Sequence, residues 1–338
     1  MKNCFLLAVV VATLAGGSMR AQNLQDAAKK ASAPKLLPHT MLITVDSDVK
    51  LEVLDWGGSG RPLFLLSGLG DTAHIFDKFA PKLTATCHVY GITRRGFGRS
   101  FLPSPSAENY SADRLGDDVL AVIEALKLNR PVLVGHSIAG EELSSVGSRY
   151  PERIAGLIYL EAAYAYAYYD RSQGDLLIDS IDLRKKLNGL IPGKEPQDQK
   201  QLVRELLQTD LPQLEKDLQE QEKALQSLPA ETQPQNAIPL AVQAILAGQE
   251  KFTDIRVPIL AIFAVPHGDL AARFKDDPAG FAAAEARDVS YVGAQAKALE
   301  SGVASARIVR LPNADHYVFQ SNEGDVLREI NAFLASLP

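Results

Sequence analysis

Four apolar runs constrain this chain more than any other feature. They are "PLFLLSG" (62–68), "PVLVGHS" (131–137), "RIAGLIYLEA" (153–162) and "VPILAIFAV" (257–265). A run with no polar alternation, such as the first, suits a strand buried on both faces. Between the runs lie amphipathic stretches. In "SADRLGDDVLAVIEALKL", Ser111 is an apt N-cap, and Leu115, Val119, Val122 and Leu126 share one helical face. Past Ser137, Ala139, Leu143, Val146 and Tyr150 do the same. Strands that alternate with helices predict an α/β fold, a mostly parallel, doubly wound sheet covered on both sides. "MLITVDSDVKLEVLDWGGSG" alternates instead and turns at "DSD", which predicts a β-hairpin ahead of the parallel strands. "HVYGITRRG" and "ARIVRL" are weaker strands, and "EGDVLREINAFLASL" is a closing amphipathic helix.

The alternation breaks between residues 163 and 254. That segment opens with the aromatic run Tyr164, Tyr166, Tyr168 and Tyr169, and prolines punctuate it at 192, 196, 229, 234 and 239. The tyrosines fit a pocket wall and ordinary amphipathic packing equally well. Leu211, Leu214, Leu218, Leu225 and Leu228 recur at helical spacing, which predicts a helix with its leucine face in a core. A structureless loop of that length would be unusual, so a helical insertion is expected at 163–254. It divides a sheet domain into residues 41–162 and 255–338.

The N-terminus reads as an export signal over residues 1–21. Lys2 precedes the apolar stretch "CFLLAVVVATLA", which is too short to span a bilayer, and Ala21 is a small residue suited to cleavage. Residues 22–40 form a leader without periodicity. No second apolar run of that kind follows, so the mature chain is expected to be periplasmic or extracellular and free of the membrane. Cys4 would leave with the signal, and Cys87 then has no partner for a disulfide; it reads as packing. The formal net charge is −6 and no cluster of basic residues occurs, which argues against nucleic acid as a partner.

The run at 131–137 ends on a corner. Gly135-His136-Ser137-Ile138-Ala139-Gly140 has the Gly-x-Ser-x-small pattern of a nucleophile elbow, with Ala139 where glycine is usual. Small residues let strand and helix approach and permit strained dihedrals at the serine. A serine hydroxyl needs a base. Of the six histidines, His39 is in the leader, His88 begins a strand, His74 enters an early helix and His136 points away from its neighbour. His267 has no assigned part. His316, in "LPNADHYVF", follows the last strand in a loop at the ligand face of such a sheet. An acid must hold the imidazole. Asp269 in "PHGDL" is the preferred candidate and Glu161, at the end of "LIYLEA", the alternative. For an oxyanion, the N–H of Ile138 is one donor. Leu69 is the other, because Gly68 and Gly70 let the backbone turn inward.

With "LLSGLGDTAHIFDKFAPKL", "GITRRGFGRS", "LVGHSIAGEEL" and "LPNADHYVF" in this order, the chain resembles the α/β-hydrolase superfamily. The resemblance covers most of 41–338 outside the insertion. It implies that the insertion is a cap over the active site and that neither metal nor organic cofactor is required. It also implies a serine hydrolase acting on a small or medium carboxylic ester. The same triad serves aminopeptidases, lactonases, acyltransferases and carbon–carbon hydrolases. Haloalkane dehalogenase and epoxide hydrolase chemistry is disfavoured, since those enzymes carry an aspartate where this chain has Ser137. Two readings compete from other classes. One is a non-catalytic binding protein on this fold. The other is an NADP-dependent oxidoreductase, with Gly68-x-Gly70-x-x-Ala73 as a dinucleotide turn and Arg94 and Arg95 facing a 2′-phosphate.

Overall fold

The computed structural model describes residues 37–191, 199–226 and 238–338. The signal at 1–21, most of the leader, Leu228 and four of the five insertion prolines lie outside them. Eight strands form one sheet: β1 (His39–Thr44), β2 (Lys50–Gly58), β3 (Arg61–Leu66), β4 (Cys87–Ile92), β5 (Val132–His136), β6 (Gly156–Leu160), β7 (Ile259–Ala264) and β8 (Ala306–Leu311). Their spatial order is β1-β2-β4-β3-β5-β6-β7-β8. β1 pairs antiparallel with β2, and β2 with β4; the remaining neighbours are parallel. The expected hairpin is therefore β1–β2, with its first strand starting two residues inside the stretch assigned to the leader.

The apolar runs are the inner strands. β5, β6 and β7 are buried along their whole length, whereas β1 and β8, at the edges, alternate with exposed residues. Helices α1 (Ala107–Tyr110) and α2 (Ala112–Ala125) join β4 to β5, and α3 (Gly140–Arg149) joins β5 to β6. Ser111 caps α2 by accepting from the Arg114 N–H. Between β6 and β7 come α4 (Leu176–Gly189), α5 (Gln199–Glu205), α6 (Leu211–Gln226) and α7 (Leu240–Ala247). β7 leads to α8 (Leu270–Arg273) and the long α9 (Pro278–Gly302). After β8 follow α10 (Val318–Ser321) and α11 (Glu323–Ser336). The two faces of the sheet carry separate cores, one around Phe64, Leu133, Leu143 and Phe263, the other around Trp56, Leu65, Ile158 and Phe319. Cys87 is buried and unpaired in β4.

The leucine stripe is a correction. Leu211, Leu218 and Leu225 are 44%, 52% and 55% exposed, so α6 turns them outward. The residues that pack are Leu202 and Leu206 against Leu183, with Leu214 at the margin. A turn of π-helix, Leu206–Asp210, joins α5 to α6. Its wider turn rotates the side chains that follow, so a stripe of helical spacing does not continue the face that Leu202 and Leu206 bury.

Candidate active site

Chain direction gathers the site at the C-terminal ends of β3, β5, β6 and β7. Ser137 follows β5 directly and sits in the left-handed region at φ +54°. An L-residue is strained there, and the surrounding packing has to hold it. Gly140, at the start of α3, shows how tight the corner is. A Cβ on it would lie 1.9 Å from the carbonyl oxygen of Ala162. Ala139 is fully buried and causes no break in the turn.

The turn after β3 abuts this corner. A Cβ on Gly68 would fall 2.8 Å from His136 Nδ1 and 3.3 Å from Ser137 Cβ, so only glycine lets the backbone of Gly68 and Leu69 come this close. Ile138 follows the serine in a short 3₁₀ turn. Arg94 fixes this arrangement from beneath. Its guanidinium donates to the carbonyls of Ser67 at 3.0 Å and Gly68 at 3.3 Å, and also to Glu142 on α3. Arg95 is buried against Asp118, donating at 2.6 Å. Both arginines are thus internal and spoken for by carboxylates. The reading in which they face a cofactor phosphate is contradicted.

His316 lies on the loop after β8. Its carbonyl oxygen is 3.1 Å from Nε2 of His136, and the two rings pack at 4.8 Å between centroids. Burial drives the His136 pKa down to about 3, so this ring is neutral and supports the loop as a hydrogen-bond donor. Tyr317 donates to Asp71 at 3.1 Å, which ties the same loop to the turn after β3.

The structure does not bring Asp269 to His316. Asp269 precedes α8 with its side chain 48% exposed, and its charged neighbour is Arg273 at 3.9 Å. The loop after β7 carries its carboxylate outward. Glu161 stands at His316 instead. It leaves β6 at φ +51°, which swings its side chain inward under the loops. It is fully buried, and its Oε2 lies 3.3 Å from His316 Nδ1. The Ala264 N–H donates to Oε1 at 2.6 Å and the Tyr164 hydroxyl to Oε2 at 2.7 Å. Burial alone would raise the Glu161 pKa, but hydrogen bonds from His267 and His316 bring it down to about 2.

Sequence reasoning left His267 and Asp288 unassigned, and both belong here. His267 Nε2 is 2.8 Å from Glu161 Oε2, and its Nδ1 is 2.9 Å from Asp288 Oδ1 on α9. The signal is present in the "PHGDL" loop, where His267 stands two residues before Asp269. The tyrosine run also reaches the site. Tyr164 holds Glu161, and Tyr166 is buried next to it, its ring 6.1 Å from that of Tyr164. Glu161, His267 and His316 present three atoms of metal-binding type within 4.8 Å of one another. Each is engaged in direct hydrogen bonds within the trio, so the arrangement is that of a proton network.

Residues 63–329 match the model of the alpha/beta hydrolase family. A protein of Caulobacter segnis, provisionally named as the carbamate hydrolase RutD, is 34% identical over 116 residues, covering 34% of this chain and 43% of its own. A fluoroacetate dehalogenase of a Burkholderia species is 29% identical over 116 residues, or 34% of this chain and 38% of its own. The chain thus spans less than half the length of these curated relatives. Among solved structures, a thermophilic esterase from Thermogutta terrifontis shares the fold with a TM-score of 0.54. It is 17% identical, and the match covers 88% of this chain and 98% of that one. Since the family match takes in most of the chain and the sheet has the order described above, the protein belongs to the alpha/beta hydrolase family.

Proposed function

We propose that the protein is an exported serine hydrolase that cleaves a carboxylic ester through an acyl-enzyme on Ser137. The observation that carries this reading is the contact of buried Glu161 with His316, whose ring packs on His136, the residue before a strained Ser137 at the end of β5. Ser137 Oγ attacks the ester carbonyl. His316 takes its proton and then gives it to the leaving alcohol. Glu161, in the place first assigned to Asp269, accepts from His316 Nδ1 and stabilises the imidazolium. The N–H groups of Leu69 and Ile138 receive the oxyanion, a contribution of about 3 kcal/mol for each donor. Water then cleaves the acyl-enzyme, with His316 as its base. The helices of 163–254 serve as a cap, and the buried Tyr164, bonded to Glu161 at the start of that segment, supports a roof close to the site. Export rests on the composition of residues 1–21.

The test is turnover of a panel of p-nitrophenyl esters by the wild type and by Ser137→Ala, together with labelling by a fluorophosphonate probe. The wild type is expected to be labelled on Ser137 and to hydrolyse the shorter esters. Equal rates for the two proteins would overturn the reading.

A further inference from the structure

We propose that His267 is a positioning residue for the reaction: with Asp288 it clamps the Glu161 carboxylate against His316. The inference rests on the triad reading above and adds two residues to it. Asp288 accepts from the backbone N–H of His267 at 2.8 Å as well as facing the ring at 2.9 and 3.1 Å. A carboxylate that binds both the backbone and the ring of one residue fixes that ring's rotation. The other ring nitrogen then points at Glu161 Oε2, 2.8 Å away.

The protonation state follows from the partners. Carboxylate oxygens face both ring nitrogens, and a carboxylate accepts, so the ring that serves both carries an N–H on each nitrogen. His267 is therefore an imidazolium. Burial works against this charge, but the hydrogen bonds to Asp288 and Glu161 outweigh it and raise the pKa to about 10. Other polar groups face this loop. Asp315 lies beside Gly268, and the Tyr164 hydroxyl shares Glu161 Oε2.

The chain of contacts then runs Asp288, His267, Glu161, His316. A cation alone beside Glu161 would cancel the charge that His316 needs when it takes up a proton. Asp288 restores it, leaving the trio of Asp288, His267 and Glu161 at a net −1. His267 sets where the acid stands, and Asp288 sets the charge that His316 meets. The bond from His267 to Glu161 is also the shorter of the two histidine contacts, 2.8 Å against 3.3 Å. The acid thus stays in place when the His316 ring moves with its proton.

The experiment compares wild type, His267→Gln, Asp288→Asn and, as a control on the same loop, Asp269→Asn. Ester turnover is read as kcat and KM separately, alongside the NMR resonance of the His316 Nδ1 proton in the free protein. For His267→Gln and Asp288→Asn, kcat is expected to fall by about ten- to a hundredfold, the scale seen when an orienting partner is lost, with KM nearly unchanged. The Nδ1 proton should move upfield and exchange faster with water in both variants. Values of kcat within twofold of wild type and an unmoved Nδ1 proton would overturn the proposal. If His267→Gln does not fold, Asp288→Asn, which keeps the ring, decides alone. A wild type that neither turns over esters nor reacts with the fluorophosphonate would remove the serine-hydrolase reading. The His316 resonance would still report whether His267 and Asp288 hold Glu161.

Discussion

Glu161 Oε2 stands 3.3 Å from Nδ1 of His316, across 155 residues of chain. The contact makes Glu161 the carboxylate whose loss should be felt. Glu161→Gln is expected to lower kcat by about 10³- to 10⁴-fold, as when the acid of a serine triad becomes an amide. Asp269→Asn, at an exposed position, should leave kcat within about twofold of wild type. Initial rates of ester hydrolysis on the two purified variants check both. Loss of turnover in Asp269→Asn alone would restore the assignment made from sequence.

Strain at Ser137 predicts a trade between stability and activity. A left-handed conformation costs an L-residue roughly 1–2 kcal/mol, and glycine escapes that cost. Ser137→Gly should therefore unfold at higher denaturant, by up to about 1 kcal/mol once glycine's own entropy is counted. Its turnover should fall by about 10⁶-fold if Ser137 is the nucleophile, as proposed. Urea melts beside rate measurements would test this, and a less stable Ser137→Gly would contradict it.

The close approaches at Gly68 and Gly140 differ in what they meet. At Gly68 a methyl would press on the His136 ring and the Ser137 side chain, whereas at Gly140 it would press on the backbone carbonyl of Ala162. Side chains give way more readily than backbone. Gly68→Ala should cost about 1–3 kcal/mol, and Gly140→Ala should lie at or above the upper end of that range. Gly68→Ala should also lower kcat more than its stability loss explains, because it displaces the Leu69 N–H. Thermal melts and ester kinetics on both variants provide the check.

His267 and His136 give stability opposite dependences on pH. The folded pKa of His267 is raised from 6.5 to about 10, so its contribution is full below pH 6.5 and is lost as pH rises through 10. The Tm difference between wild type and His267→Gln should therefore shrink over that window. His136 is shifted the other way, from 6.5 to about 3, because burial disfavours its charge. The unfolded chain takes up that proton first, so stability should decline as pH falls from 6.5 toward 3. His136→Gln should flatten the acid limb. Melts between pH 3 and pH 10 would expose either sign being wrong.

Much of the fold was legible because its signals are local. Apolar runs of strand length marked β3, β5, β6 and β7, and the glycine-serine corner marked where β5 ends. Which carboxylate meets His316 was not legible, for a geometric reason. Glu161 and Asp269 both follow strand ends, and the choice between them depends on a left-handed residue that sequence does not mark when it is not glycine. His267 and Asp288 escaped because they lie 21 residues apart, on a loop and a helix that only tertiary packing brings together. The leucines of α6 had the right period, but period alone does not say which way a face turns.

In the pairing of β5 with β6, His136 lies opposite Leu160, and the next residue on each strand is Ser137 and Glu161. Ser137 and Glu161 are thus one step past a shared rung, at equal height on neighbouring strands. The sheet works as a ruler that the two groups are read from. Adding or deleting one residue within either strand would offset them by about 3.3 Å and turn one side chain to the opposite face. Length can vary in the segment that leaves after Glu161 and returns at β7 without moving this scale. Strand length in β5 and β6 cannot.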